Sequence, residues 1–273
     1  MGSLEFLYKT APGRIILKPL ISKPVSSFSG WLLDRKVSKV LIKSFVKNNN
    51  IDLRDYQTDN INCFNDFFCR RIKDGLRPFD TDPEALTAPC DGLLRVHKIA
   101  DGSVLGVKQS KFTIKSLLRD DELAASFDNG YAFVYRLCVN HYHRYAYFDS
   151  GHKLEDRRID GVYHTVRPIA LEGYPVFVEN TREYAVIDSE VFGRCVQMEV
   201  GAMLVGRIVN DHPFPGMVER GMEKGHFEYG GSTIIVLIPE GSAQVRADLI
   251  EASTTDKEIP VVMGEKVGSH LIP

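Results

Sequence analysis

The chain is poor in the features that mark a membrane span, a disulfide scaffold or a nucleic-acid binder. No uninterrupted apolar stretch approaches the ~18 residues that a spanning helix requires. The N-terminus lacks a secretory pattern, because its apolar runs are short and broken by Lys9, Arg14 and Lys18. Cysteine is scarce: Cys63, Cys69, Cys90, Cys138 and Cys195 include no CxxC pair, and their odd number argues against a disulfide framework. A reducing, cytoplasmic setting fits that usage. There is one tryptophan, Trp31, and net charge is only −2. Internal repeats, low-complexity tracts and linker-like stretches are all missing.

With 273 residues and 44% hydrophobic content, the chain can bury a substantial core. The small net charge hides an asymmetry. Residues 1–50 hold nine Lys or Arg and only two acids, Glu5 and Asp34, a net +7 against −9 for the remainder. Within this arm Leu33, Val37, Val40, Leu41 and Phe45 recur at helical spacing, while Lys36, Lys39, Lys43 and Lys47 gather elsewhere on the helix. A basic amphipathic helix with Trp31 at its start reads as an element lying on an anionic membrane surface. A solvated helix packed on the domain reads equally well from the residues alone. Nucleic acid is a poorer partner, because the basic residues are not interleaved with stacking aromatics.

The coarse pattern predicts a helical arm over 1–50 and a second helical region over 51–75, with Phe64, Phe67 and Phe68 at core spacing. From Leu86 onward short strands follow, at Gly92–Ile99, Tyr131–Val139, Tyr184–Ser189, Arg194–Val200 and Ile234–Ile238, with Gly201–Val209 continuing the sheet. Strands after a helical lead favour an α+β fold, with a mostly antiparallel β core and an N-terminal helical arm. The division expected is an arm over 1–50 and a catalytic domain over 51–273.

The run Gly230-Gly231-Ser232-Thr233 opens the last of those strands. A serine hydroxyl behind a glycine, at a turn into a strand, can attack the preceding carbonyl and convert the Gly231–Ser232 amide into an ester. β-Elimination then breaks the chain and leaves dehydroalanine, which hydrolyses to a pyruvoyl group. Most such tetrapeptides are plain turns. A hydrolase elbow, G-x-S-x-G, fails because Ile234 stands where the second glycine is required. Asp91, in Pro89-Cys90-Asp91-Gly92, reads by itself as a turn aspartate. His141 and His143 alternate along an expected strand and would face one side. A metal reading of that pair lacks a companion Cys, Asp or Glu at convincing spacing, so no metal is expected. His164 reads most simply as a structural histidine.

The ordered series of motifs resembles the phosphatidylserine decarboxylase family over nearly the whole chain. It runs from Phe64-Asn65-Asp66-Phe67-Phe68-Cys69-Arg70-Arg71 through Arg77-Pro78, Ala88–Gly92, Val107-Lys108 to Leu117-Leu118, and Tyr142-His143-Arg144. Val200–Gly206 and Lys224–Thr233 complete it. The resemblance implies a proenzyme cleaved between Gly231 and Ser232, with a pyruvoyl cofactor made from Ser232 and two fragments that stay associated. It gives Asp91 a supporting role toward the cleavage serine, and His143 a role in catalysis. A second family histidine, three residues after the first, is here Ala146, so His143, His141 or His164 would have to substitute, or Asp91 would act through another partner. The implied reaction is decarboxylation of phosphatidylserine to phosphatidylethanolamine, by a peripheral protein on the cytoplasmic side of an anionic membrane. A homodimer is compatible with it. Arg144 and Lys108 are candidates for the headgroup phosphate. Two alternatives stand beside this reading: decarboxylation of a soluble amino acid, which the basic arm opposes, and an unprocessed lipid-binding homologue, which Ala146 favours.

Overall fold

A computed structural model describes residues 2–100, 113–203, 207–230 and 232–271. The arm forms helices α1 (Ser3–Lys9), α2 (Ala11–Leu20), α3 (Lys23–Leu33) and α4 (Val40–Asn48). A 3-10 turn, Lys36–Lys39, separates the last two; the Ser38 hydroxyl donates to the Leu33 and Arg35 carbonyls there, so the expected continuous stripe from Leu33 to Phe45 is broken. Residues 51–75 are not a second helical region. Only α5 (Phe64–Phe68) forms, because Asp52 accepts from the Arg54 N–H in a local turn and Asn60 takes a left-handed φ of 64°. The core role expected for Phe64, Phe67 and Phe68 is correct: all three are buried.

The strands are β1 (Ala85–Thr87), β2 (Gly92–Lys98), β3 (Tyr131–Leu137), β4 (Arg144–Ala146), β5 (Gly151–Ile159), β6 (Arg182–Ser189) and β7 (Gly193–Val200). They continue with β8 (Ile208–Asn210), β9 (Gly216–Val218), β10 (Glu223–Phe227), β11 (Ser232–Ile238), β12 (Ala243–Val245), β13 (Ile259–Val261) and β14 (Lys266–His270). Eight of them make one sheet in the order β13-β2-β3-β11-β7-β6-β5-β9, with every pairing antiparallel. The fold is therefore α+β with an antiparallel core and a helical arm, as the pattern predicts. Gly201–Val209 does not simply extend the sheet: the chain leaves at Val200 and resumes at β8, in a separate sheet of order β4-β10-β8.

β11 lies between β3 and β7 and is buried along its whole length. Its Ile-Ile-Val-Leu-Ile run is what a strand covered on both faces requires. Ile235 and Leu237 face one core, shared with Tyr8 and Leu17 of the arm. Ile234, Val236 and Ile238 face the other, shared with Tyr145 and Phe227 of the small sheet. Each such side chain contributes roughly 1.5–3 kcal/mol of burial. Ser232 is thus the first residue of a strand buried along its length and paired on both edges.

Candidate active site

Gly230 has φ of 144°, a backbone region that favours glycine, and it turns the chain into β11. Gly231 lies outside the described residues. Ser232 then pairs with Leu137 across the ladder and is completely buried. Its hydroxyl lies 3.3 Å from His143 Nδ1. The other ring nitrogen, Nε2, is 3.0 Å from the Cys138 carbonyl. A carbonyl only accepts, so Nε2 carries the proton and Nδ1 presents a lone pair to the serine. Burial pushes the His143 pKa down to about 3; the Cys138 carbonyl opposes that shift, and the charges of Arg70 and His141 add to it. The ring is therefore neutral, with its Nδ1 lone pair facing the serine hydroxyl.

Packing fixes this geometry. Phe68 lies over the His143 ring at 4.1 Å and meets Tyr229 edge-on at 5.1 Å, so one side chain packs on both His143 and the residue before Gly230. The His143 carbonyl accepts from the Phe227 N–H at 2.9 Å, which ties the histidine to β10.

His141 and His143 do not share a strand face. β4 begins only at Arg144, and residues 138–141 form a turn closed by the His141 N–H on the Cys138 carbonyl and the Cys138 N–H on His141 Nδ1. His141 caps this turn while His143 reaches Ser232. Asp91 is held by Arg77 in a bidentate pair at 2.9 Å and accepts from the Met263 N–H at 2.9 Å. Its charge raises the pKa of His141 against the larger effect of burial, and its hydrogen bonds go to Arg77 and Met263 rather than to Ser232. His164 belongs to a clasp between arm and sheet. Its ring stacks on Tyr174 at 4.5 Å, Nδ1 meets the Tyr8 hydroxyl at 3.2 Å, and Nε2 lies 3.3 Å from Glu179. Burial lowers its pKa to about 4.

Ala146 donates its N–H to the Pro89 carbonyl and accepts from Gln197 Nε2, so the place of the missing family histidine is closed by the backbone before Asp91 and by a neutral amide. Arg144 is consumed internally, bonded to the Cys69 carbonyl and to Glu223. Lys108 lies outside the described residues. The sequence pattern did not single out Cys138, which acts through its backbone, or the buried pair Lys224–Glu199 at 2.7 Å. Burial pushes Glu199 up to about 7, with the Lys224 charge opposing. Among the described residues no group of His, Cys, Asp and Glu is arranged to hold a metal.

A cavity of about 480 Å³ adjoins the cleavage segment. It is bounded by Gly230 and Tyr229, by the end of β3, by residues 165–168, and by Leu4 and Asn49 of the arm.

Comparison with known proteins identifies the family. The family described as phosphatidylserine decarboxylase has a sequence model that matches residues 64–269. The chain belongs to the phosphatidylserine decarboxylase family. It is 38% identical to the phosphatidylserine decarboxylase proenzyme 2 of Clostridium acetobutylicum, over 98% of this chain and 91% of the relative. The phosphatidylserine decarboxylase proenzyme of Clostridium kluyveri is also 38% identical, over 97% and 91%. That of Ruminiclostridium cellulolyticum is 36% identical, over 97% and 90%. The matched region begins at the first residue of α5, the helix that packs on His143, and runs through β11.

Proposed function

We propose that the chain is a proenzyme that cleaves itself between Gly231 and Ser232, converts Ser232 to a pyruvoyl group and decarboxylates phosphatidylserine to phosphatidylethanolamine at a membrane surface. The observation that carries this reading is a buried serine hydroxyl bonded to a neutral histidine whose tautomer a backbone carbonyl sets. His143 Nδ1 takes the hydroxyl proton as Ser232 Oγ attacks the Gly231 carbonyl carbon. The C–N bond breaks, the nitrogen takes a proton, and residue 232 is left esterified to Gly231. Loss of the residue-232 α-proton expels the Gly231 carboxylate, and water then replaces nitrogen as ammonia. Asp91 supports these steps at one remove, by fixing the Arg77–Met263 corner and holding negative charge near His141.

The pyruvoyl carbonyl, once present, supplies an electron sink for the pair released as carbon dioxide leaves an amine substrate. Three features of the chain fit such a group. Its precursor is shielded from water, its strand is held on both sides, and His143 stands where a proton can be returned to the substrate α-carbon.

The arm supports a membrane location. Its outer surface exposes Ile15, Phe28, Trp31, Val37 and Val40, with Phe28 stacked on Trp31 and Arg35 over the indole, amid a net charge of +7. Among the described residues no helix is long and apolar enough to cross a membrane, so a peripheral attachment is the mode proposed.

Intact mass under denaturing conditions is the test. Expected is a fragment of residues 232–273 with pyruvoyl in place of serine at its N-terminus, beside a 1–231 fragment. The Ser232→Ala protein should remain one chain of 30.7 kDa and be inactive. Decarboxylation by that variant would falsify the reading, and an unbroken wild-type chain in the presence of anionic lipid would favour the lipid-binding homologue.

A further inference from the structure

We propose that the cavity beside Gly230 is a site for a phosphate ester anion, with Arg167 as the residue that contacts the phosphate of the lipid headgroup. This rests on the decarboxylase reading above. The cavity, about 480 Å³, is of a size that encloses a small ligand, and it lies directly before the scissile bond and against the arm from which a lipid would enter. In phosphatidylserine the phosphate hangs from the serine side chain, on the far side of the α-carbon from the departing carboxylate. It must therefore rest beside residue 232, in a pocket of its own.

Charge selects this cavity. Its described lining holds two arginines and no acid, in a chain whose acids outnumber its Lys and Arg, 36 to 34. A hollow of about 410 Å³ sets Asp34, Asp59, Asp66 and Glu228 against Arg70, Arg71 and Arg144, so its acids outnumber its arginines. Within the acid-free cavity Arg136 is already committed to Glu258 by two hydrogen bonds. The Arg167 side chain has no hydrogen bond or ion pair among the described residues, and its charge acts on the Tyr229 hydroxyl. The segment that carries it is rigidly seated. Asn180, fully buried, binds both the N–H and the carbonyl of His164 and also the Gly201 carbonyl, and Thr165 Oγ1 accepts from the Arg167 N–H. An uncompensated guanidinium fork on a fixed backbone is suited to two parallel bonds to phosphate oxygens.

The test compares wild-type, Arg167→Gln and Arg167→Lys proteins. The substituted side chain is exposed, so both variants should fold. Self-cleavage is read by intact mass, binding to phosphatidylglycerol vesicles by sedimentation, and turnover with short-chain phosphatidylserine. Glycerophosphoserine and inorganic phosphate serve as soluble competitors. Expected are full cleavage, unchanged vesicle binding, and for the glutamine variant a KM raised about tenfold to a hundredfold while kcat holds. The lysine variant should fall between, and glycerophosphoserine should lose potency with KM. An unchanged KM, or a rise matched by lost vesicle binding, overturns the proposal. Inorganic phosphate competing as well as glycerophosphoserine overturns the headgroup assignment. If the wild type neither cleaves nor turns over phosphatidylserine, the decarboxylase reading fails. Calorimetric titration of wild-type and glutamine proteins with glycerophosphoserine then judges Arg167 alone: weaker binding to the variant supports the site, and equal or absent binding overturns it.

Discussion

His143 is the histidine whose unprotonated ring nitrogen faces the Ser232 hydroxyl, its other nitrogen being fixed as a donor by the Cys138 carbonyl. Because Cys138 meets His143 only through its carbonyl, substitutions at 138 that keep the turn should leave cleavage intact, whereas His143→Gln should slow it by about 10²–10⁴-fold. Time courses of fragment appearance would measure this, and equal rates in wild type and variant would remove His143 from the mechanism. Asp91→Asn should slow cleavage less than His143→Gln does, and should chiefly cost stability by stranding Arg77. A larger effect of Asp91→Asn would put the carboxylate in direct service of Ser232. The serine, the aspartate and His143 were legible as residue types in motifs. The tautomer was not, because a backbone carbonyl leaves no mark in a sequence. The facing of His141 was misread for a related reason: alternation predicts a shared face only on a strand, and these residues lie in a turn.

At the scale of elements, the arm does two jobs on two faces. Tyr8 and Leu17 are buried in the sheet's core, and the Tyr8 hydroxyl accepts from the Thr165 N–H. Deleting the arm would therefore damage the domain, and substitution of its outer face is the cleaner experiment. Phe28→Ser with Trp31→Ser should weaken binding to phosphatidylglycerol vesicles about tenfold or more while cleavage proceeds, since each buried aromatic side chain is worth roughly 1.5–3 kcal/mol. Added salt should weaken wild-type binding further through screening of the lysines. Unaltered sedimentation in both trials would return the arm to a purely packing role. The five strands expected from alternating or continuous apolar runs all formed, because burial on the sheet dictates those patterns. The helix expected over 51–75 failed where Asp52 and Asn60 offered the backbone local partners, a competition that spacing does not reveal.

Across the whole molecule, five histidines among the described residues share one sign of shift: His143 and His164 are buried, and His97, His141 and His226 are half-buried. His97, His143, His164 and His226 are lowered to about 4, 3, 4 and 4, mainly by burial. A histidine depressed in the fold binds its proton more readily in the unfolded chain. Its stabilisation is complete above about pH 6.5 and is lost as pH falls toward the folded value. Glu199, held up to about 7, works in the opposite direction by taking a proton in the folded state. At pH 5 each of those four histidines should cost about 1–2 kcal/mol, so the sum outweighs one carboxyl. Denaturant midpoints at pH 7.5 and pH 5 would measure the loss, and an equal or higher midpoint at pH 5 would refute it. Cleaved fragments should also co-elute in native conditions and part only in denaturant, because β11 is hydrogen-bonded on both edges to strands of the larger piece.

That placement of β11 alters what unfolding means for the molecule. Before cleavage, the chain that loses its structure regains it by itself, at a rate independent of concentration. After the proposed cleavage the central strand would belong to a second polypeptide, and recovery would become an encounter between two species, one of them short, hydrophobic and prone to other partners. On the proposed self-cleavage, maturation would turn a reversible transition into a practically one-way loss. The working lifetime of the enzyme is then set by how slowly it opens.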